Sequence, residues 1–114
     1  MTAARRALGA AGEAQAAAWY EGRGYAVLHR NWRCREGELD LVVRRGRELV
    51  FVEVKARRTD RFGTPAEAVT RAKQRRLREL AWRYLAATGE RAGSLRFDVV
   101  SILGGRLEVI QAAF

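Results

Sequence analysis

Gly37-Glu38-Leu39-Asp40-Leu41-Val42-Val43-Arg44-Arg45-Gly46-Arg47-Glu48-Leu49-Val50-Phe51-Val52-Glu53-Val54-Lys55 is the run on which the reading of this chain turns. Two aliphatic, β-branched stretches, Glu38 to Arg45 and Glu48 to Ala56, flank Gly46-Arg47. That is a two-residue loop with glycine first, as a type II′ hairpin turn requires. The loop dictates the partners. Leu39 faces Val54, Leu41 faces Val52 and Val43 faces Val50, so one side of the hairpin is wholly apolar. On the other side Glu38 faces Lys55, Asp40 faces Glu53 and Val42 faces Phe51. A slip of one residue would mix the two faces, so the register is well specified.

This pairing sets Asp40 beside Glu53, with Cβ atoms about 4.5–5.5 Å apart. Like charges directly opposite one another destabilise a sheet, so something must compensate: a raised carboxyl pKa, the nearby Lys55, or a bound cation. Two carboxylates and an ammonium match the needs of metal-assisted phosphodiester cleavage. Carboxylate oxygens hold a hard divalent ion, which lowers the pKa of water and offsets charge at phosphorus. Lys55 can orient the attacking water or stabilise developing negative charge. The plainer alternative is an ordinary Glu38–Lys55 cross-strand ion pair with Asp40 facing solvent. Glu13, taken alone, is a solvated helix glutamate.

Outward from the hairpin, a first helix is expected from Thr2 to Gly22, with Leu8, Ala11, Gln15, Ala18 and Trp19 on one stripe. Gly9 and Gly12 weaken its first turns. Tyr25 to Asn31 reads as a strand. After the hairpin, Thr64-Pro65-Ala66-Glu67 has the form of a capping box. It opens a helix to about Thr88 whose inward residues are Val69, Leu77, Leu80, Ala81, Tyr84 and Leu85. Strands Leu95 to Leu103 and Arg106 to Ala112 meet at Gly104-Gly105, a second hairpin signal. The order α-β-β-β-α-β-β makes an α/β fold with helices around a mixed sheet. The second helix is long enough to cross between parallel strands.

At 114 residues the chain suits a single domain, residues 1–114, with one core. Its 48% hydrophobic content excludes a disordered tail, and no apolar run is long enough to cross a bilayer. One cysteine, Cys34, and one histidine, His29, exclude a disulfide scaffold and a Cys/His zinc site. The lone thiol fits a reducing compartment, and Glu13 and Gln15 interrupt any apolar signal region, so the cytoplasm is the expected location. The net charge of +9 makes polyanions the first partners to consider. From Lys55 to Arg83, ten Lys/Arg stand against three Asp/Glu. Arg57, Arg58 and Arg61 follow Lys55 closely. Arg71, Arg75 and Arg78 recur at i, i+4, i+7 on the second helix, with Lys73 nearer its apolar stripe, and all are candidates for phosphate contact. The alternative is a solvated helix face. Trp19, Trp32 and Trp82 could stack on unpaired bases, although Trp19 and Trp82 fall within helical patterns that favour core packing. Asp98 is either structural or a support for the site.

The spacing of Asp40, Glu53 and Lys55 resembles the PD-(D/E)xK nuclease signature. The wider string is similar to the YraN-like family of predicted endonucleases, which is related to the archaeal Holliday-junction resolvases. That string comprises Gly12-Glu13, Gly24-Tyr25, Arg30-Asn31, Gly37-Glu38-Leu39-Asp40-Leu41, Val50-Phe51-Val52-Glu53-Val54-Lys55-Ala56-Arg57 and Arg96-Phe97-Asp98-Val99-Val100. The resemblance implies a restriction-endonuclease-like fold and Mg²⁺ or Mn²⁺ held by Asp40, Glu53 and the main-chain carbonyl of Val54. It implies Lys55 as the catalytic lysine, and a role at the metal for Glu13 on the first helix. The residue before Asp40 is leucine, where the motif's name has proline.

The leading expectation is therefore a divalent-metal-dependent endonuclease acting on DNA, with branched or otherwise non-B structures as candidate substrates. Its alternative is a non-catalytic nucleic-acid-binding accessory protein on the same fold. By analogy with the resolvases, paired sites in a homodimer are the matching assembly.

Overall fold

A computed structural model describes residues 3–58 and 69–114. The alternating runs fold as the antiparallel strands β2 (Gly37–Arg45) and β3 (Glu48–Arg57). Gly46 takes φ 60 while Arg47 stays out of the left-handed region, as a type II′ turn asks. Leu41 pairs with Val52, Val42 with Phe51 and Val43 with Val50, the register this loop dictates. β1 (Ala26–Cys34) runs antiparallel along the far side of β2 and extends past Asn31, where the sequence pattern ends. Helix α2 (Arg71–Thr88) precedes β4 (Ser94–Leu103), which lies parallel to β3. β5 (Arg106–Ile110) returns through Gly104 and Gly105, at φ 57 and 82, the two positive values of a type I′ turn. With α1 (Ala3–Glu21) in front, the order is α-β-β-β-α-β-β around one mixed sheet, β1-β2-β3-β4-β5. Among the described residues no helix is long and apolar enough to cross a membrane.

Alternation along β2 and β3 sends neighbouring side chains to opposite faces, and each face has its own helix. Ala16, Ala17 and Tyr20 of α1 pack on Leu41, Val43, Val50, Val52, Val100 and Ile102. Leu77, Leu80, Ala81 and Tyr84 of α2 pack on Leu39, Val42, Leu49, Phe51 and Phe97.

Four expectations are corrected. The buried stripe of α1 is not Leu8, Ala11, Gln15, Ala18 and Trp19, since Ala11, Gln15 and Ala18 are exposed. In an alanine-rich helix every face is mildly apolar, and closeness of approach decides. A Cβ on Gly12 would lie 2.9 Å from Ala56 Cβ and 3.2 Å from Ile102 Cδ1, so the glycine marks where helix meets sheet. The Tyr20 hydroxyl, which donates to Asp98 at 2.6 Å, fixes the same rotation. Second, α2 starts at Arg71: Thr70 is its N-cap, extended at φ −72, ψ 168, and its hydroxyl accepts the Lys73 N–H at 3.3 Å. The run Thr64 to Glu67 lies outside the described residues. Third, Trp82 is 70% exposed, because it falls beside the narrow Leu77–Leu80–Ala81–Tyr84 stripe, not within it. Fourth, Leu39 packs with Phe51 and Leu80 on the α2 face, not beside Val54, and the cause lies in the site.

Asp98 is a structural residue. Fully buried, it accepts from Tyr20 Oη, from Arg96 Nε and Nη2, and from the Ala112 N–H.

Candidate metal and phosphate site

In β1, Asn31 has φ 53, a left-handed backbone inside a strand. The flanking pairs Arg30↔Leu41 and Trp32↔Leu39 place it opposite Asp40. Asparagine tolerates this conformation better than most residues, and its effect here is to reset which face the chain presents. Leu39 and Trp32 therefore pack on the α2 side, while Leu41 stays on the α1 side. The β2–β3 ladder stops at Leu41↔Val52. Asp40 and Glu53 are consequently not ladder partners. Instead Asp40 Oδ2 reaches across and accepts the Val54 N–H at 2.8 Å. Its carboxylate takes a main-chain donor that a carbonyl would bind in an unbroken ladder.

Where the strands part, carboxylates gather. Oxygen atoms of Glu13, Glu38 and Asp40 lie within 4.8 Å of one another. Gly12 brings Glu13 there: the close contact of α1 with Val54, Ala56 and Ile102 sets the next residue at the strand ends. Glu53 borders the group and turns to Lys55, with Oε1 3.4 Å from Nζ. Glu38 pairs with Arg33 Nε at 3.3 Å, so the Glu38–Lys55 ion pair of the plainer alternative is replaced by two others. Sequence reasoning cast Glu38 as a charge partner only. Its i, i+2 relation to Asp40 was the available signal that the two carboxylates could act together.

Burial, then the charge of Glu53 and a smaller contribution from Glu13, push the Asp40 carboxyl up to about 8, against the lowering effect of the Val54 N–H. Near neutrality this group keeps its proton unless a cation takes its place. The donor set, all oxygen and mutually repelling, fits a hard divalent cation such as Mg²⁺ or Mn²⁺. Glu13, Glu38 and Asp40 are the residues drawn closest together to hold one, with Glu53 next to them.

Glu38 also lines a cleft of about 260 Å³, together with Glu53 and Lys55 from the strands and Lys73 and Arg76 from α2, while Glu13 and Asp40 stand outside its lining. The proximity of Lys55, more than burial, lowers the Lys73 pKa. Arg76 was missed from the sequence, although its i, i+3 spacing from Lys73 puts both on one face of the helix. Arg57 ends β3 half-buried, while Arg58, Arg71 and Arg75 are exposed. Arg61 lies outside the described residues. Arg78 does not continue the Arg71–Arg75 row as a free cation: its guanidinium lies over the rings of Phe97 and Phe114, at 5.0 and 5.4 Å. Trp32 packs edge-on against Tyr84, and Trp19 against Tyr20. His29 Nδ1 is hydrogen-bonded to the Tyr84 hydroxyl at 2.8 Å.

Comparison with known proteins gives a consistent result. A sequence model of the uncharacterised protein family UPF0102 matches residues 12–102. The chain is 54% identical over 103 residues to a UPF0102 protein of Beutenbergia cavernae, covering 90% of this chain and 87% of that protein. It is 51% identical over 114 residues to a UPF0102 protein of Symbiobacterium thermophilum, covering 96% and 97%. It is 47% identical over 120 residues to one of Moorella thermoacetica, covering both in full. The match runs from the glycine that seats α1 to the end of the strand that borders β3, and on it the chain belongs to the UPF0102, or YraN-like, family.

Proposed function

We propose that this protein is a divalent-metal-dependent endonuclease that hydrolyses phosphodiester bonds in DNA. The observation that carries the reading is the carboxylate group of Glu13, Glu38 and Asp40, whose Glu38 also lines a cleft shared with Glu53, Lys55, Lys73 and Arg76. The acidic side holds the cation, and the basic side accepts a phosphate. A divalent cation supplies two things at such a site: activation of water and neutralisation of charge developing at phosphorus. Lys55, steered by Glu53, presents its ammonium to that charge. Lys73 and Arg76 hold the non-bridging phosphate oxygens from the other wall, and Arg76 can do so with two N–H groups at once. Asp40, held by the Val54 amide, cannot rotate out of the cation's reach without leaving that donor unpaired.

Incubation with single-stranded, duplex, flap and four-way DNA in Mg²⁺ and in Mn²⁺ tests this reading. Cleavage is expected in at least one pairing and should fall by about a hundredfold or more in Asp40→Asn and in Lys55→Ala, with DNA binding largely kept. Both variants cutting at the wild-type rate would overturn it.

One observation favours a second reading, a binding protein without catalysis: Glu53 is engaged by Lys55 and stands outside the tight oxygen group of Glu13, Glu38 and Asp40. Calorimetric titration with Mn²⁺ separates the two. The nuclease gives binding heat that Asp40→Asn abolishes, and the accessory protein binds DNA with no metal requirement.

A further inference from the structure

At the opposite end of the sheet from the carboxylates, two loops enclose a second cationic cavity. Arg44 comes from the end of β2, Arg47 from the β2–β3 turn, and Arg91, Ala92 and Gly93 from the segment between α2 and β4. Together they line about 240 Å³. The site is fastened by its backbone. The Arg47 carbonyl accepts the N–H groups of Gly93 at 2.7 Å and Ser94 at 3.3 Å. Arg44 Nη2 donates to the Glu90 carboxylate at 3.0 Å and to the Arg91 carbonyl. A Cβ on Gly93 would lie 3.2 Å from Arg47 Nε, so the Arg47 side chain lies against that glycine. Among the described residues the ion pairs engage Arg33, Arg44, Lys55, Arg83 and Arg96, and neither Arg47 nor Arg91 has a carboxylate partner. Two arginines are thus exposed at a fixed place with their charge uncompensated.

α2 links this cavity to the first one. Lys73 in its first turn faces the carboxylate cleft, and Glu90 and Arg91 follow its C-terminal end. At 1.5 Å per residue, Lys73 and Thr88 are about 22 Å apart along the axis. Glu79 is the one acidic residue of α2, against exposed Arg71, Lys73, Arg75, Arg76, Arg78 and Arg83.

We propose that Arg47 and Arg91 form a second phosphate-binding site, which grips the backbone of a DNA duplex about six to seven base-pair steps from the cleavage centre. This rests on the endonuclease reading for the identity of the ligand as DNA, and it adds a length requirement. A duplex too short to span both sites is held by one alone. Ion release from the duplex makes the number of phosphates engaged measurable, because each contact contributes about 0.9 to the slope of log affinity against log salt.

Fluorescence anisotropy in chelator, with no divalent metal, tests the proposal on DNA hairpins whose stems are about five and about sixteen base pairs long. On the long stem, the Arg47→Ala/Arg91→Ala variant should lose about two units of salt slope and bind at least tenfold more weakly at moderate salt. On the short stem, which the Lys73 and Arg76 wall can hold by itself, the loss should be distinctly smaller. The Arg47→Lys/Arg91→Lys variant should restore most of the slope, which a folding defect would not. Equal losses on both stems, or no loss on either, would overturn the second site. If these effects hold while no substrate is cut in any metal, the endonuclease reading falls and the second site stands. If cleavage proceeds with the arginine variants unaffected on both stems, the second site falls alone.

Discussion

Asp40 concentrates the chemistry of the molecule in one carboxyl group. Its backbone partner, the Val54 N–H, favours the charged form, but burial and Glu53 outweigh it. A folded-state value of about 8 against an ordinary 3.8 fixes the sign of the pH dependence. Between those limits the folded protein retains a proton that the unfolded chain has released, so without metal stability falls as pH rises from about 4 to 8. Thermal melts in chelator across this range should show that decline, and Asp40→Asn, neutral throughout, should flatten it. Divalent cations compete with the same proton. Mn²⁺ affinity is therefore expected to climb with pH in the same window and to level off above about 8. A pH-independent Mn²⁺ affinity would remove Asp40 from the ligand set.

The elements show which patterns in the chain carry over into structure and which do not. From Leu41 to Val52 the β2–β3 hairpin has the register that Gly46-Arg47 imposes, because a two-residue loop leaves no freedom and alternation allows only one buried face. One residue further the reading fails. The left-handed Asn31 sits in a neighbouring strand, and nothing in the hairpin's own pattern reports it. The gathering of acidic groups was legible from Asp40 and Glu53, yet the role of Glu38 was not, since its charge also suited Lys55. Helix α1 was legible as a helix but not in its rotation, because alanines on all sides carry no directional signal. Its orientation is written in Gly12, which a propensity scale reads only as a weakness. Gly12→Ala should cost about 1–3 kcal/mol through the 2.9 Å approach to Ala56 Cβ and should weaken Mn²⁺ binding by shifting Glu13. Gly9→Ala meets nothing within 4 Å and should stabilise by about 0.5–1 kcal/mol. Urea titration of both variants, with Mn²⁺ calorimetry on the first, checks this; equal effects at the two glycines would refute the docking account.

For the whole molecule, the hydrogen-bonded group of Asp98, Arg96, Tyr20, Tyr25 and Glu48 ties α1 to β3 and β4 at a distance from the carboxylates. Arg96 Nη1 donates to Glu48 at 2.7 Å and Nη2 to the Tyr25 hydroxyl at 3.1 Å. Tyr20→Phe removes a buried hydrogen bond to a charged acceptor and should lower stability by about 2 kcal/mol, read as a lower urea midpoint at unchanged slope. Its Mn²⁺ affinity should fall less than that of Gly12→Ala, because the Tyr20 ring stays packed and Gly12 still seats α1 beside Ala56 and Ile102. The single parallel junction of the sheet has a kinetic consequence as well. β1, β2 and β3 succeed one another through short turns, so that meander can close as soon as it leaves the ribosome. β3 and β4 meet only after everything from Arg58 to Gly93 has emerged. A nascent chain would thus already carry Glu38, Asp40, Glu53 and Lys55 in place while β3 still offered an unpaired edge, and the arrival of β4 is the event that seals it.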